Sequence, residues 1–333
     1  MTVMPETLSA IDRRLLDDFQ RDLPACPRPF AWIAERLGLD EAETIARLER
    51  QQKSGRITRV GATVRPNTAG ASTLAALSVP PDRIETVAAR LNALVEINHS
   101  YLREHDWNLW FVVTACDTAH LDACLARIRA ETGLTVLDLR LLRPFNIDLG
   151  FSLSGAGPRR LTRAKADLEA LREDDRPLLH ALSQGLPLVP RPFAAIAASL
   201  DRPEAEVIDR TDALIRAAIV SRFGVIVRHR AIGWKANAMV VWDVPDTAME
   251  DAGQSLAALP GVTLCYQRRT VPGVWRHGLF SMIHARTRDE ALSVLARARA
   301  LPALAGVDHQ TLFSTRCFRQ TGAHLARVSE RAA

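Results

Sequence analysis

Three side chains on one short segment could share a reaction. Written as an extended strand, Ile97-Asn98-His99-Ser100-Tyr101-Leu102-Arg103 sends Ile97, His99, Tyr101 and Arg103 to one face and Asn98, Ser100 and Leu102 to the other. That face carries an imidazole, a phenol and a guanidinium at intervals of about 7 Å. A guanidinium fork grips a carboxylate through two parallel hydrogen bonds, and an imidazole moves a proton near neutral pH or ligates a metal ion. Similar residue types recur at Arg65, at Arg228-His229-Arg230, at Lys235, and at Tyr266 and Arg268. The expected machinery therefore has His99, His229 and Tyr101 as catalytic candidates. Arg65, Arg103, Arg228, Arg230, Lys235, Tyr266 and Arg268 are the binding candidates for an anionic molecule. His277 and His309 have a weaker case, and Trp107, Trp110 and Trp242 are expected in the core.

These residues belong to a chain that is written twice. Pro27-Arg28-Pro29-Phe30-Ala31-Trp32-Ile33-Ala34 returns as Pro190-Arg191-Pro192-Phe193-Ala194-Ala195-Ile196-Ala197, a shift of 163 residues. The same shift carries Leu15-Leu16 onto Leu178-Leu179, Gly61 onto Gly224, Arg65 onto Arg228, Gly70 onto Gly233 and Ser72 onto Lys235. A two-residue insertion then lays Tyr101 and Arg103 on Tyr266 and Arg268, and His99 on Leu264. Leucine can fill the volume but can neither ligate iron nor deliver a proton. A fused pseudo-dimer with one competent site and one degenerate counterpart is expected. The Arg228-His229-Arg230 cluster faces Arg65-Pro66-Asn67 in the first copy, so the fold does not demand it; its bland alternative is a solvated basic turn.

Each copy opens with helical text. Apolar residues at Leu8, Ile11, Leu15, Leu16 and Phe19 predict a helix over 8–23, Phe30 to Leu37 predicts a second, and Asp40 caps a third that ends before Gly55. Arg56 to Val60 then reads as a strand, completing a winged helix-turn-helix. Strands at 72–79 and 236–244, helices at 83–94 and 247–259, two further strands, helices at 119–131 and 288–301, and last strands at 135–142 and 305–313 follow the ferredoxin-like order β-α-β-β-α-β. The fold class is α+β, with two tandem copies of winged helix-turn-helix plus ferredoxin-like domain. The boundaries are 8–62 and 174–226 for the winged helices, 63–152 and 227–326 for the ferredoxin-like domains, and 153–173 for the linker. A connecting helix is expected over 161–172. Gly155-x-Gly157 lacks the third glycine and the strand-to-helix setting of a dinucleotide fingerprint.

Composition narrows the function. Among 333 residues no run of 18 is apolar, and Cys26, Cys116, Cys124, Cys265 and Cys317 include no C-x-x-C pair. A cytoplasmic protein without membrane span, disulfide framework or thiolate zinc site is expected. A net charge of +5 suits nucleic acid or a polyanionic small molecule equally. The third helices decide against DNA: 40–53 holds four acids against three bases, and 201–216 holds five acids against three. A helix entering a phosphate-lined groove should lead with positive charge.

A winged helix followed by a ferredoxin-like domain resembles the leucine-responsive/AsnC regulators, across nearly all of both copies. Within that group, Asn98-His99-Ser100-Tyr101-Leu102-Arg103 followed by Asn108-Leu109-Trp110 is similar to the siroheme decarboxylases. So are Arg228-His229-Arg230, Gly233-Trp234-Lys235-Ala236-Asn237, Cys265-Tyr266-Gln267-Arg268 and Leu312-Phe313-Ser314-Thr315-Arg316, which look like their second subunit type. Both types on one chain resemble the fused enzymes of heme d1 biosynthesis. One departure is Trp275-Arg276-His277-Gly278, where the second type usually shows Trp-Pro-Tyr-Asn. The resemblance implies loss of CO2 from the C12 and C18 acetates of siroheme, with no cofactor beyond that iron-tetrapyrrole substrate and His99 as a candidate axial ligand of its iron. The implied partners are the substrate and no specific DNA or membrane, with further homo-oligomers left open. The rival readings are a ligand-responsive regulator and a non-catalytic siroheme or heme carrier.

The acidic third helices generate a test. Selection from random DNA duplexes should return no reproducible palindrome, and any association should vanish with added salt; recovery of a defined operator restores the regulator reading.

Overall fold

The structure, a computed structural model, describes residues 8–147 and 165–325. Packing assigns them to two compact units that cut across the sequence halves: 8–65 with 165–232, and 66–147 with 233–325.

The first unit holds both winged helices. In sequence order its elements are α1 (Ala10–Asp17), α2 (Pro29–Leu37), α3 (Glu41–Lys53) and β1 (Ile57–Val64), with α6 (Asp175–Gln184), α7 (Pro192–Leu200), α8 (Glu204–Arg216) and β6 (Val220–Val227) as their repeats. Gly38 ends α2 in the left-handed region at φ 70°, and Asp40 caps α3 by accepting from Glu43 N at 2.6 Å. Helix α1 stops well short of the expected Leu23. There Phe19 O accepts from Val225 N at 2.7 Å and Leu23 N donates to Phe223 O at 3.2 Å, so the edge of the other copy's strand draws this backbone out of the helix. Phe19 and Leu23 stay buried all the same.

Strands β1 and β6 pair antiparallel with Gly61 opposite Gly224. A Cβ on Gly61 would fall 2.5 Å from Leu182 O, and one on Gly224 would fall 2.5 Å from Phe19 O. Gly61 thus admits the last turn of α6, and Gly224 the chain that follows α1. One arginine of each third helix is committed to the first helix of its own copy. Arg47 meets Asp12 at 3.1 Å on α1, and its repeat Arg210 meets the fully buried Asp175 at 2.5 Å on α6.

The second unit contains β2 (Ala71–Leu77), α4 (Ile84–Ala93), β3 (Ile97–Arg103), β4 (Leu109–Ala115), α5 (Thr118–Thr132) and β5 (Val136–Ile147). Their repeats are β7 (Ala236–Trp242), α9 (Met249–Ala258), β8 (Val262–Arg268), β9 (Leu279–Ala285), α10 (Arg288–Arg299) and β10 (His309–Gln320). The eight strands close a barrel in the order β10-β3-β4-β2-β5-β8-β9-β7. Closure comes from the last strand of each copy. The start of β10 pairs with β7 (Phe313 opposite Ala238), and its end pairs with β3 of the other copy (Ser314 opposite Arg103). Strand β5 does the same between β2 and β8. Both strands therefore run past their expected ends, because the second half of each finds its ladder partners in the other copy.

Outside the barrel, α4 and α5 cover Ala75, Phe111 and Val113, while α9 and α10 cover Val240, Trp242 and Ile283. Inside lie Leu74, Trp110, Leu139, Met239, Tyr266, Phe280 and Leu312. Trp110 and Trp242 are core residues, as expected, and Trp107 packs part-buried against the interior cluster.

Three expectations change. The ladder sets Ala71 opposite Ala115 and Ala236 opposite Ala285, so the two-residue insertion precedes β7 and Asn237, not Lys235, is the repeat of Ser72. Residues 165–172 form no helix, while 161–164 and the Gly155-x-Gly157 segment lie outside the described residues. Ile97 does not share a face with His99: the register slips between them, and Ile97 packs among Val87, Leu91 and Leu121 in the helix-side core.

The glycine pair yields a stability prediction. Gly61→Ala and Gly224→Ala should each destabilise the protein by about 1–3 kcal/mol, seen as a lower urea midpoint, since backbone rather than a flexible side chain must retreat. Midpoints equal to the parent's would refute the close approach.

Candidate active site

After its bulge, β3 aims His99 and Tyr101 into the barrel. They pair across the ladder with Val112 and Trp110, and directly opposed residues share a face. His99 Nδ1 lies 3.3 Å from the Tyr101 hydroxyl, with the two rings stacked at 6.2 Å. The Arg103 guanidinium sits 5.6 Å from the Tyr101 ring centre, a cation–π distance. His99 and Tyr101 are half-buried and Arg103 is buried. The predicted imidazole–phenol–guanidinium row is therefore assembled, with each member touching the next.

Strand β8 repeats the bulge, between Val262 and Leu264, and so repeats the row without its imidazole. Leu264 packs part-buried against the interior cluster, and Tyr266 stacks on Phe280 at 6.1 Å. The Arg268 guanidinium lies 4.5 Å from the Tyr266 ring, and burial pulls its pKa below the usual arginine range. The two arginines also hold the barrel shut. Arg103 Nη1 donates to Leu312 O at 3.0 Å, and Arg268 Nη1 donates to Leu139 O at 2.7 Å, each on the last strand of the other copy.

The remaining candidates are spread over the two units. Arg65, Arg228, His229 and Arg230 belong to the winged-helix unit, and Lys235 is exposed in the barrel unit. Arg65 donates through Nε to Ala218 O at 3.0 Å, so part of its guanidinium steadies the second winged helix. His229 opens a short 3-10 turn, His229–Ile232, and is only 5% exposed, which rules out a solvated turn for this imidazole. Arg228 beside it is exposed and Arg230 half-buried. The one grouping of three metal-ligating side chains among the described residues is Cys116, Asp117 and His120, where Asp117 already caps α5.

Comparison with known proteins places this arrangement. An AsnC-like ligand binding domain matches residues 69–146 and 231–319, and a siroheme decarboxylase NirDL-like HTH domain matches 12–57 and 175–220. The siroheme decarboxylase NirDL subunit of Paracoccus denitrificans is 61% identical over 97% of this chain and 99% of its own. The chain belongs to the siroheme decarboxylase NirDL family. The crystal structure of the siroheme decarboxylase NirDL matches with a TM-score of 0.68 at 26% identity, over 96% of this chain and 95% of that one. The same enzyme in complex with an iron-uroporphyrin III analogue matches with a TM-score of 0.66 at 25% identity, over 95% and 94%.

Within this family frame, one feature of the barrel escaped the sequence reading, a buried polar chain from Arg103 through Asn237 and His284 to Thr263. Asn237 stood in a recognised motif, but His284 sits in Ser281-Met282-Ile283-His284-Ala285, which reads as an ordinary core strand. Its only signal was a histidine opposite Thr114 of the repeat. His277, one of the two weaker candidates, is 4% exposed against the Trp275 ring, with no hydrogen-bond partner for either ring nitrogen among the described residues. His309 stacks on Trp242 at 4.9 Å.

His277 gives a pH prediction. Burial, aided by the Arg276 charge, pushes its pKa below the ordinary value of 6.5. The unfolded chain then binds the proton more readily, so stability is whole above about pH 6.5 and is lost as pH falls below it. His277→Phe should flatten this loss and exceed the parent in stability near about pH 5, read from urea midpoints across pH. An unchanged slope would show that His277 is not the group responsible.

Proposed function

We propose that this chain is a carboxy-lyase that removes CO2 from the C12 and C18 acetate side chains of siroheme, giving 12,18-didecarboxysiroheme for heme d1 biosynthesis. The observation that carries the reading is the His99–Tyr101–Arg103 row, intact in one half of the barrel and missing its histidine in the other. It occurs in a chain of the NirDL family, one of whose solved members holds an iron-uroporphyrin III analogue. The five cysteines are free and no described helix is long and apolar enough to cross a membrane, in keeping with a cytoplasmic enzyme.

Breaking the bond between the acetate methylene and its carboxylate releases CO2 and leaves an electron pair on the methylene carbon. The macrocycle spreads that charge, and one proton delivered to the carbon completes a methyl group. The protein has three tasks: to hold carboxylates, to exclude water from the leaving group and to supply the proton. In the barrel unit Arg103, Lys235, Tyr266 and Arg268 supply cations and a phenol suited to the substrate's carboxylates, and in the winged-helix unit Arg65, Arg228 and Arg230 are the carboxylate-binding candidates. His99 and His229 supply imidazoles, with Tyr101 within hydrogen-bond reach of His99. Proton delivery and ligation of the substrate's iron are the two roles open to such an imidazole, and a single side chain cannot fill both at once. No nucleotide, flavin or added metal enters this scheme. The regulator alternative is disfavoured by the commitment of Arg47 and Arg210 to internal ion pairs.

Anaerobic incubation with siroheme, followed by mass analysis of the tetrapyrrole, should show two successive losses of CO2. His99→Ala should abolish both while the arginine contacts preserve substantial binding. Leu264→Ala should keep turnover and cost below about 2 kcal/mol of stability, because Leu264 is only part-buried. Unchanged substrate mass with the parent protein sinks the enzymatic reading and leaves a carrier. Normal turnover by His99→Ala, with loss in a folded Leu264→Ala, means the active half is the other one.

A further inference from the structure

The polar chain behind Arg103 has a directed hydrogen-bond pattern. Arg103 Nη1 donates to Asn237 Oδ1 at 3.3 Å as well as to Leu312 O. Asn237 on β7 lies opposite His284 on β9, and its Nδ2 is 3.0 Å from His284 Nε2. His284 Nδ1 is 2.7 Å from Thr263 Oγ1, and that hydroxyl donates to Met282 O at 3.1 Å. Asn237 and His284 are each 4% exposed and Thr263 is 7% exposed.

Guanidinium nitrogens only donate, so the Asn237 atom facing Arg103 must be its oxygen. Its amide NH2 then faces His284 and can only donate, which makes Nε2 an acceptor and places the imidazole proton on Nδ1. That proton goes to Thr263, whose own hydrogen goes to the Met282 carbonyl. Every member has one role, and a leucine anywhere in the chain would leave a buried partner unsatisfied.

Among the described residues the repeat builds no matching Asn–His–Thr chain behind Arg268. Where β7 has Asn237, β2 has Ser72, whose hydroxyl and amide both turn to Asn67 Oδ1. Where β9 has His284, β4 has Thr114, and where β8 has Thr263, β3 has Asn98, whose Oδ1 finds no partner among the described residues. The support is one-sided, and it stands on the side that keeps His99.

We infer that Asn237, His284 and Thr263 are positioning residues that fix the Arg103 guanidinium for a substrate carboxylate, so that the difference between the two halves lies in this chain as well as in His99 and Leu264. The inference rests on the reading of Arg103 as a carboxylate anchor. Two acceptors on a single Nη set the plane of the guanidinium, and a bidentate grip depends on that plane.

The test measures siroheme affinity by optical titration, and KM and kcat under anaerobic conditions, on the full chain. Asn237→Leu and His284→Leu should weaken binding and raise KM by about tenfold, with kcat changed much less. His284→Gln keeps an acceptor toward Asn237 and should recover most of that loss. Ser72→Ala and Thr114→Val, at the equivalent positions of the repeat, should leave both constants near the parent's. Adding Asn237→Leu to Arg103→Lys should cost nothing further, since both act through one contact. If either leucine variant fails to fold by circular dichroism, Asn237→Ser and His284→Gln are compared instead, with Asn237→Ser expected to show the defect. Parent-like KM in a folded Asn237→Leu or Asn237→Ser, or an equal defect in Thr114→Val, overturns the inference while leaving Arg103 as an anchor. Parent-like affinity in Arg103→Lys overturns the anchor reading and the inference with it.

Discussion

The barrel depends on a reciprocal bond between a guanidinium of one copy and a backbone carbonyl of the other. Arg103 reaches Leu312 O and Arg268 reaches Leu139 O, each just before the point where β10 or β5 changes ladder partners. A strand that leaves one sheet for another exposes backbone groups at the transfer, and a buried carbonyl without a donor is costly. The arginines satisfy those carbonyls and in doing so carry positive charge into an apolar interior. Closure and an interior cation are thus one structural decision.

This coupling explains which parts of the repeat stayed alike. Tyr101 and Tyr266, like Arg103 and Arg268, recur because each arginine packs over its tyrosine ring and secures the crossing strand. Nothing in closure depends on the residue two places before the tyrosine, so histidine and leucine could diverge there. The same freedom extends to the supporting shell, where Asn237 and His284 face Ser72 and Thr114. A pseudo-symmetric scaffold can therefore hold an asymmetric site without distorting its frame.

The winged-helix unit shows a related reuse. Its helices, turns and wings are those of a DNA-binding module, yet Arg47 and Arg210 tie the third helix to the first in both copies. Arg28 with Glu41 and Arg191 with Glu204 make a second equivalent pair. Gly61 and Gly224 let the two modules interlock through backbone contact.

Much of this was legible in the chain itself. Gly38 and Asp40 mark the turn between α2 and α3 because a left-handed glycine and an N-cap carboxylate act locally. Alternation placed His99, Tyr101 and Arg103 on one face, and the repeat exposed Leu264 as the odd position. Local pattern failed wherever the partner lay in the other copy. Helix α1 ends early because β6 takes its backbone, β5 and β10 run long because they finish in a foreign sheet, and a bulge turns Ile97 away from the row it seemed to begin. His284 was silent for the same reason: a histidine in a core strand gains meaning only from Asn237 and Thr263, residues distant in sequence. Residue order encodes propensity and periodicity over a few turns. Which distant backbone or side chain completes a hydrogen bond is decided when the two copies close on each other.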